Sequence, residues 1–136
     1  MTDEQLIKAA FEARQKAYVP YSRFPVGAAL LTEDGTLYTG ANIENASFGL
    51  TNCAERTAIF KAASDGHRKV TTIAVVADTE GPCSPCGACR QVMSEFGPEA
   101  RVILTNLHGN TLVTSVRELL PGAFTPQDLQ PKEGSR

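Results

Sequence analysis

The N-terminal third of the chain shows one amphipathic helical pattern followed by two apolar stretches. Thr2 and Gln5 have capping-box spacing, and apolar residues then recur every three or four positions up to Ala17. This helix must end before Pro20. Two apolar runs joined by a turn sequence then predict a β-hairpin, with strands at 24–31 and 37–41.

The remaining pattern alternates between helix and strand. Helical patterns begin near Asn52, Cys86 and Ser115. Apolar runs typical of strands lie at 71–77, 101–105 and 112–113. The run 71–77 is almost continuously apolar, which predicts a central strand buried on both faces. Strands interleaved with helices predict an α/β fold, namely a three-layer α/β/α sandwich around a mixed five-stranded sheet.

Length and composition predict a single domain. The chain has 136 residues, within the usual size of one domain, and it shows neither an internal repeat nor a linker. We therefore expect one domain over residues 1–136. The residues after Thr125 are polar, so we expect a flexible tail at about 126–136.

Charge and hydropathy narrow the classes of partner. The formal net charge is −2 and the only basic cluster is His67-Arg68-Lys69, which argues against nucleic acid. No apolar run is long enough to span a membrane. The acidic start of the chain differs from a secretory signal, so we expect a cytoplasmic protein. A small uncharged ligand agrees with these features.

The four cysteines carry the first indication of chemistry. Cys53 stands alone, whereas Cys83, Cys86 and Cys89 are spaced by three. In a cytoplasmic chain such spacing indicates metal binding more than disulfides, and zinc takes thiolates tetrahedrally.

Helix starts are expected to bring these thiols together. Ser84 fits an N-cap and Pro85 the first helical position, so Cys86 would lie in the first turn with Cys89 on the same face. Asn52 likewise fits an N-cap for the helix that carries Cys53. The partial positive charge at both helix N-termini would stabilise thiolates.

The number of ligands decides whether the site is catalytic or structural. Three thiolates leave a fourth place for water, whereas four close the shell. We favour Cys53, Cys86 and Cys89, because Cys83 precedes the predicted helix start and helical geometry does not hold it beside Cys86. A structural four-cysteine site and a zinc-free protein with buried thiols remain as alternatives.

Glu55 follows Cys53 by two positions and has two interpretations. Its spacing from Asn52 fits a capping box. Beside a metal, however, a carboxylate at this distance from a ligand could reach the zinc-bound water and act as general acid and base. Surrounding apolar groups would raise its pKa towards neutrality.

Arg56 is a candidate for adjusting the charge of the metal site. Three thiolates on zinc give a net charge of −1, and a guanidinium that donates hydrogen bonds to the sulfurs would restore some acidity to the water. The alternative is an ordinary exposed helix residue.

Two segments of the chain carry a family signature. Residues 53–58, Cys-Ala-Glu-Arg-Thr-Ala, and 85–91, Pro-Cys-Gly-Ala-Cys-Arg-Gln, resemble the cytidine deaminase family. Further matching segments lie at 21–24, 42–45 and 119–124, so the resemblance runs from about Tyr18 to Phe124. Cysteine in the first ligand place is similar to the small homotetrameric enzymes that act on free nucleosides.

The resemblance implies a reaction and an assembly. The reaction is hydrolytic deamination of cytidine and deoxycytidine to uridine and deoxyuridine with release of ammonia, as in pyrimidine salvage. One zinc ion per subunit would be held by Cys53, Cys86 and Cys89, and Glu55 would carry protons between the water, N3 and the amino group. The assembly is a homotetramer whose active sites are completed by neighbouring subunits.

The resemblance also implies five substrate contacts. Asn42 and Glu44 would hold the ribose 3′-hydroxyl, and Phe24 would pack against the pyrimidine. The backbone N–H of Ala54 would meet the base carbonyl, and Phe124 would stack on the base in a neighbouring subunit's site. The alternatives are purely structural roles: core packing for the phenylalanines, and hydrogen bonding within a polar loop for residues 42–45.

Two departures and two rivals qualify this interpretation. Many relatives have tyrosine where this chain has Phe48, which puts a contact to the 5′ end of the substrate in doubt. Cys83 lies outside the usual ligand set and is interpreted as an incidental loop thiol. The rivals are deamination of a cytosine-bearing antibiotic such as blasticidin S, and a non-catalytic zinc module with all four cysteines ligated.

The turn at His108-Gly109-Asn110 adds independent information. A connection this short can join only antiparallel strands, because parallel strands need a long crossover. By resemblance, free-nucleoside enzymes have antiparallel strands here, whereas enzymes that edit tRNA or polynucleotides place a helix between parallel strands. His67 and His108 are not expected to be ligands.

Overall fold

The computed structural model describes residues 1–129. Within that range the helices are α1 (Asp3–Arg14), α2 (Ala54–Ser64), α3 (Gly87–Phe96) and α4 (Val116–Leu119). The strands are β1 (Val26–Thr32), β2 (Leu37–Ala41), β3 (Val70–Ala77), β4 (Arg101–Asn106) and β5 (Thr111–Ser115). Short 3-10 helices lie at Phe48–Leu50 and Pro126–Leu129.

The five strands form one mixed sheet in the order β2-β1-β3-β4-β5. Strands β3 and β4 are parallel because α3 serves as the crossover between them. The other three pairs are antiparallel, including β1 with β2 and β4 with β5, which short turns connect. The predicted hairpin, central strand and mixed sheet are confirmed.

Helices cover both faces of the sheet, as the predicted three-layer sandwich requires. Helix α1 packs on one face through a cluster that consists of Leu6, Ala10, Ala29, Ala74, Val76 and Ile103. Helices α2 and α3 pack on the other face, where Ile59 and Met93 meet Ile73 and Val75 of β3. Alternate residues of β3 therefore enter both cores, which explains its continuous apolar sequence.

Two strand glycines allow the helices to approach the sheet closely. A Cβ on Gly27 would lie 2.0 Å from the carbonyl oxygen of Ala10 in α1. A Cβ on Gly40 would lie 2.5 Å from the Ala54 oxygen and the Ala58 nitrogen of α2. The two glycines lie on paired strands but face opposite layers, so the backbone of each helix contacts the sheet directly.

Several boundaries differ from the predicted ones. Helix α1 ends at Arg14 instead of continuing towards Ala17, because the N–H of Tyr18 pairs with the Asn42 carbonyl and draws the chain out of the helix. Strand β1 begins at Val26, so Phe24 lies in the preceding loop. Of the predicted tail, 126–129 form a 3-10 turn, and 130–136 lie outside the described residues.

Among residues 1–129, no helix has both the length and the apolar character that crossing a membrane needs.

Candidate active site

Helices α2 and α3 each begin on a cysteine at the same end of their layer. Cys53 is the N-cap of α2 and Cys86 is the N-cap of α3, both with extended backbone (φ −72°, ψ 156° and φ −70°, ψ 169°). Neither side chain makes a capping hydrogen bond, so both thiols remain available to a metal. Cys89 is the third residue of α3, within its first turn.

The predicted N-caps at Asn52 and Ser84 are therefore wrong by one and two residues. The backbone of Asn52 forms an antiparallel bridge with Ile43, which keeps it extended, and its side chain donates to the Thr57 hydroxyl. Ser84 and Pro85 lie outside α3, and the Ser84 hydroxyl accepts a hydrogen bond from Arg90. The capping box between Asn52 and Glu55 is absent for the same reason.

Cys53, Cys86 and Cys89 form a group whose sulfur atoms all lie within 4.8 Å of one another. The Sγ–Sγ distances are 3.8 Å between Cys53 and Cys86 and 3.4 Å between Cys86 and Cys89. A tetrahedral zinc ion with Zn–S bonds of about 2.3 Å requires sulfurs about 3.8 Å apart, so the three thiols fit the ion. Cys86 is exposed, which leaves one side of the group open to solvent.

Cys83 does not belong to this group. Its side chain is 8 % exposed and lies in the core cluster shared with α2 and α3, while its backbone N–H donates to the Thr105 carbonyl. Burial raises the pKa of its thiol to about 11. Within residues 1–129 the ligand set therefore has three thiols, and the four-cysteine alternative does not apply.

The thiol of Cys53 ionises more readily than an ordinary cysteine. Its pKa is lowered to about 5, because the thiolate accepts hydrogen bonds from Cys89 and from Arg56. Nη2 of Arg56 lies 3.1 Å from the Cys53 sulfur, as expected from the sequence. The bond to Cys53 also raises the pKa of Arg56. The buried Nε atom of Arg56 has no acceptor among residues 1–129.

Glu55 places a carboxyl group beside the thiols. It is the second residue of α2 and only 4 % exposed. Burial raises the pKa of Glu55, and the negative charge of Cys53 adds to the rise, while a hydrogen bond with Cys89 opposes it. A protonated Glu55 can therefore donate a proton in this site at a pH where an exposed carboxyl would be ionised.

Asn42 and Glu44 lie beyond β2 and hold the loop that precedes β1. The Asn42 side chain accepts from the Val26 N–H at 2.9 Å and donates to the Phe24 carbonyl at 2.9 Å. The Glu44 carboxylate accepts from the backbone N–H groups of Tyr21 and Ser22 and from the Ser22 hydroxyl. These bonds orient both side chains, and one amide N–H of Asn42 remains free of them.

Three phenylalanine side chains outside the α-helices and strands are exposed. Phe24 is 40 % exposed, and Phe48 is 73 % exposed with its ring edge-on to Tyr21 at 5.8 Å. Phe124 is 58 % exposed. Plain core packing is therefore excluded for Phe24 and Phe124. Ala54 is the first residue of α2, where backbone N–H groups have no acceptor within the helix.

Sequence reasoning missed a buried asparagine that supports the loop before Cys83. Asn106 is fully buried, and its Nδ2 donates to the carbonyls of Thr79 and Glu80 at 2.9 Å. Its Oδ1 accepts from the backbone N–H groups of His108 and Asn110. The only sequence signal is an asparagine placed directly after an apolar strand.

The sequence predicts no role for Arg90 and Gln91 beyond their place in the segment 85–91. Both side chains donate hydrogen bonds from α3 to backbone carbonyls later in the chain, Arg90 to that of Leu119 and Gln91 to that of Phe124. Their position immediately after a metal ligand is the signal that could have found them.

A metal held by three thiolates keeps a fourth coordination place for a reacting molecule, and a buried acid beside it can move protons. On an α/β/α sandwich, this combination places the protein in the class of zinc-dependent hydrolases. The family model described as the cytidine and deoxycytidylate deaminase zinc-binding region matches residues 1–105. The chain belongs to this family and carries one zinc site.

Known proteins similar to the chain match it over nearly its whole length. A cytidine deaminase of Sporosarcina psychrophila is 62% identical over 130 residues, which is 95% of this chain and 96% of the relative. A cytidine deaminase of Halalkalibacterium halodurans is 63% identical over 95% of this chain and 98% of its own. The crystal structure of cytidine deaminase from Burkholderia pseudomallei superposes with a TM-score of 0.89 at 58% identity, covering 91% of this chain and 100% of that chain.

Proposed function

We propose that this chain deaminates cytidine and deoxycytidine by hydrolysis, producing uridine and deoxyuridine with release of ammonia in pyrimidine salvage. The observation that carries the proposal is the buried Glu55 carboxyl beside three converging thiols. The relatives named cytidine deaminase support the substrate, since they match nearly the whole chain at 62% and 63% identity.

The proposed chemistry assigns the proton transfers to Glu55. When bound, zinc lowers the pKa of a water molecule and so supplies a nucleophile at neutral pH. Glu55 accepts the proton of this water and gives one to N3 of the cytosine ring as C4 is attacked. It then takes the proton of the new C4 hydroxyl and delivers it to the amino group, so that ammonia leaves and the ring carbonyl forms. Its raised pKa suits transfer in both directions.

Four further residues hold and tune the metal in this proposal. Cys53, Cys86 and Cys89 hold zinc, because their sulfurs have the spacing that the ion needs. Arg56 donates to the Cys53 sulfur and withdraws negative charge from the metal site. This withdrawal offsets part of the net charge of −1 that three thiolates and zinc create.

The loop held by Asn42 and Glu44 would recognise the sugar. The remaining amide N–H of Asn42 and the Glu44 carboxylate would bind the ribose 3′-hydroxyl, since a hydroxyl can both accept and donate. Phe24 would pack on the pyrimidine from the same loop, and the N–H of Ala54 would meet the base carbonyl. The fixed orientation of both polar side chains supports this assignment.

A homotetramer with shared active sites completes the proposal. The Phe124 side chain is exposed, which fits a ring that stacks in a neighbouring subunit's site. Other large apolar side chains are exposed too, among them Phe48, Leu50, Phe60 and Leu129. We also propose a cytoplasmic location, in keeping with a small nucleoside substrate.

The arrangement of β4 and β5 supports a free nucleoside over a nucleic acid. The two strands are antiparallel and joined by a four-residue connection at 107–110. By resemblance, this is the arrangement of free-nucleoside enzymes. The formal net charge of −2 also lacks the excess of basic residues that a polyanion would need.

A substrate panel tests the function. The zinc-loaded protein is mixed with cytidine, deoxycytidine, deoxycytidylate or blasticidin S, and loss of the cytosine absorbance band and ammonia release are followed. We expect turnover of the two nucleosides that stops after zinc is removed and returns when zinc is restored. Preferential turnover of blasticidin S or deoxycytidylate would replace the proposed substrate, and no ammonia from any compound would refute the activity.

Glu55→Gln tests the proton carrier. The variant keeps the size of the side chain but cannot exchange protons, so we expect it to bind zinc stoichiometrically while kcat falls about 10²- to 10⁴-fold. Glu95→Gln, on the exposed side of α3, is the matched control and should retain wild-type rates. Near-normal turnover by Glu55→Gln would remove Glu55 from the mechanism.

A further inference from the structure

Arg90 uses all three of its guanidinium nitrogens on neutral acceptors. Nε donates to the Pro85 carbonyl at 3.0 Å, Nη2 to the Ser84 hydroxyl at 2.8 Å and Nη1 to the Leu119 carbonyl at 2.8 Å. The side chain is half-buried. Among residues 1–129 it forms no ion pair, so its role depends on the geometry of these three bonds rather than on a charged partner.

Two of the three acceptors lie directly before a metal ligand. Ser84 and Pro85 lead into Cys86, and the backbone N–H of Arg90 donates to the Cys86 carbonyl at 3.0 Å as the first hydrogen bond of α3. Arg90 thus closes a loop of hydrogen bonds around the residue that provides the exposed thiol. The Cys86 side chain itself makes no capping bond that would hold it.

The third acceptor belongs to the C-terminal part of the chain. Leu119 is the last residue of α4, where helix carbonyls lack intrahelical donors. The next residue of α3, Gln91, donates to the Phe124 carbonyl at 2.9 Å. Adjacent residues of α3 therefore hold both ends of the segment 119–124, called here the C-terminal segment.

We propose that Arg90 is a positioning residue of the zinc site: it fixes the Ser84–Pro85 approach to Cys86, and together with Gln91 it fastens the C-terminal segment to the same helix. Each of the three guanidinium nitrogens reaches its own acceptor, whereas the three N–H groups of a lysine would all share one nitrogen atom. Loss of Arg90 leaves the Cys86 thiol free to turn away from the metal. Loss of Gln91 alone releases only the end that carries Phe124.

Zinc release and steady-state kinetics separate these effects. Zinc-loaded wild type, Arg90→Gln, Arg90→Lys and Gln91→Ala are mixed with a chromophoric chelator such as pyridylazoresorcinol, and kcat and KM for cytidine are measured in parallel. We expect both Arg90 variants to release zinc about 10- to 100-fold faster than wild type. Gln91→Ala should release zinc at the wild-type rate but show a raised KM, since the proposed base-stacking ring is displaced.

The matched control is Arg101→Gln, which removes an exposed arginine that pairs with Asp3 outside the site. It should match wild type in both measurements. If Arg90→Gln does not fold by circular dichroism, Arg90→Lys decides, because it keeps the charge and most of the length. A folded Arg90→Lys protein with wild-type zinc release would overturn the proposal, and an unchanged KM in Gln91→Ala would overturn its second half.

Only the KM measurement rests on the proposed function. If the wild type does not deaminate cytidine, that function fails while the comparison of zinc release still decides the role of Arg90. If the wild type is active and the Arg90 variants keep zinc, the inference about Arg90 fails alone.

Discussion

At the scale of single residues, Cys53 and Cys86 each occupy a helix N-cap and are also predicted metal ligands. Helix N-caps favour side chains that accept hydrogen bonds from the first turn. Here neither thiol does so. A thiolate nevertheless benefits from the partial positive charge of the helix N-terminus, so each helix start stabilises the ionised form that zinc requires.

Arg56→Gln should separate metal binding from catalysis. The substitution removes the hydrogen bond between Nη2 and the Cys53 sulfur and the positive charge beside the thiolates. We expect the protein to bind one zinc ion while kcat falls about 10- to 100-fold, because the metal site becomes more negative. Metal analysis and cytidine kinetics check this. Arg101→Gln again serves as control, and an unchanged kcat would mean that the Arg56 contact has no catalytic consequence.

Cys83 offers the opposite test, since its thiol packs in the core and not on the metal. Cys83→Val should retain one zinc ion and change the free energy of unfolding by less than about 1.5 kcal/mol, as a swap of similar volume does. Cys83→Ser should lose about 1–3 kcal/mol because a hydroxyl is buried in an apolar place. Denaturant unfolding measures the change in stability, and metal analysis measures the zinc content of each variant. Loss of zinc in both variants would restore the four-thiol interpretation.

Sequence reasoning predicted which thiols converge more accurately than the backbone geometry that holds them. The spacing of the cysteines indicated metal binding and a predicted helix start disfavoured Cys83, and the three remaining thiols do converge in the structure. The N-caps were misplaced because the bridge between Asn52 and Ile43, which keeps Asn52 extended, joins residues distant in sequence. Local capping preferences contain no information about such a pairing.

At the scale of elements, the position of α2 depends on how closely its backbone can approach strand β2. Its first turn contains Ala54 and Glu55, and the oxygen of Ala54 lies where a side chain on Gly40 would be. The position of Glu55 is therefore set partly by a missing side chain in a neighbouring strand.

Gly40→Ala should damage both stability and activity. The added methyl group meets α2 backbone atoms at 2.5 Å, so the helix must shift away from β2. We expect a loss of at least about 1–3 kcal/mol in the free energy of unfolding, together with weaker zinc binding and a lower kcat.

Gly27→Ala is the matched control for Gly40→Ala. It creates a comparable clash with α1 on the opposite face of the sheet, where a Cβ would lie 2.0 Å from the Ala10 oxygen. It should therefore destabilise the fold while the folded fraction keeps zinc and its kcat. Equal loss of kcat per zinc-loaded molecule in both variants would show that the effect is general destabilisation.

Periodicity predicted the type and order of the elements well. The capping box of Thr2 and Gln5, the hairpin and the central strand β3 are all present, since each is encoded by neighbouring residues. The hydrogen-bond network of Asn106 and the three side-chain hydrogen bonds of Arg90 were not predicted. Both join parts of the chain that meet only after the sheet forms. The sequence around a polar residue does not indicate that the residue is buried or which groups it bonds.

At the scale of the whole molecule, zinc connects two helices whose ligands are 33 residues apart in the chain. Binding to the folded state alone stabilises it by about 2.7 kcal/mol when free zinc is about 100 times its dissociation constant. We therefore expect a chelator to lower Tm by several degrees, and added zinc to restore it. Cys86→Ser, in which the site is incomplete, should show a much smaller response; an equal response would place the stabilising ion elsewhere.

The parallel pairing of β3 and β4 has a consequence for the order of events in biosynthesis. Cys53 leaves the ribosome first, and the crossover that carries Cys89 is complete only when β4 pairs with β3. A nascent chain that stops before Arg101 holds every ligand and the antiparallel strands β1, β2 and β3, but it lacks the parallel strand that follows α3. We therefore expect the native zinc site to assemble late in synthesis, after β4 has emerged.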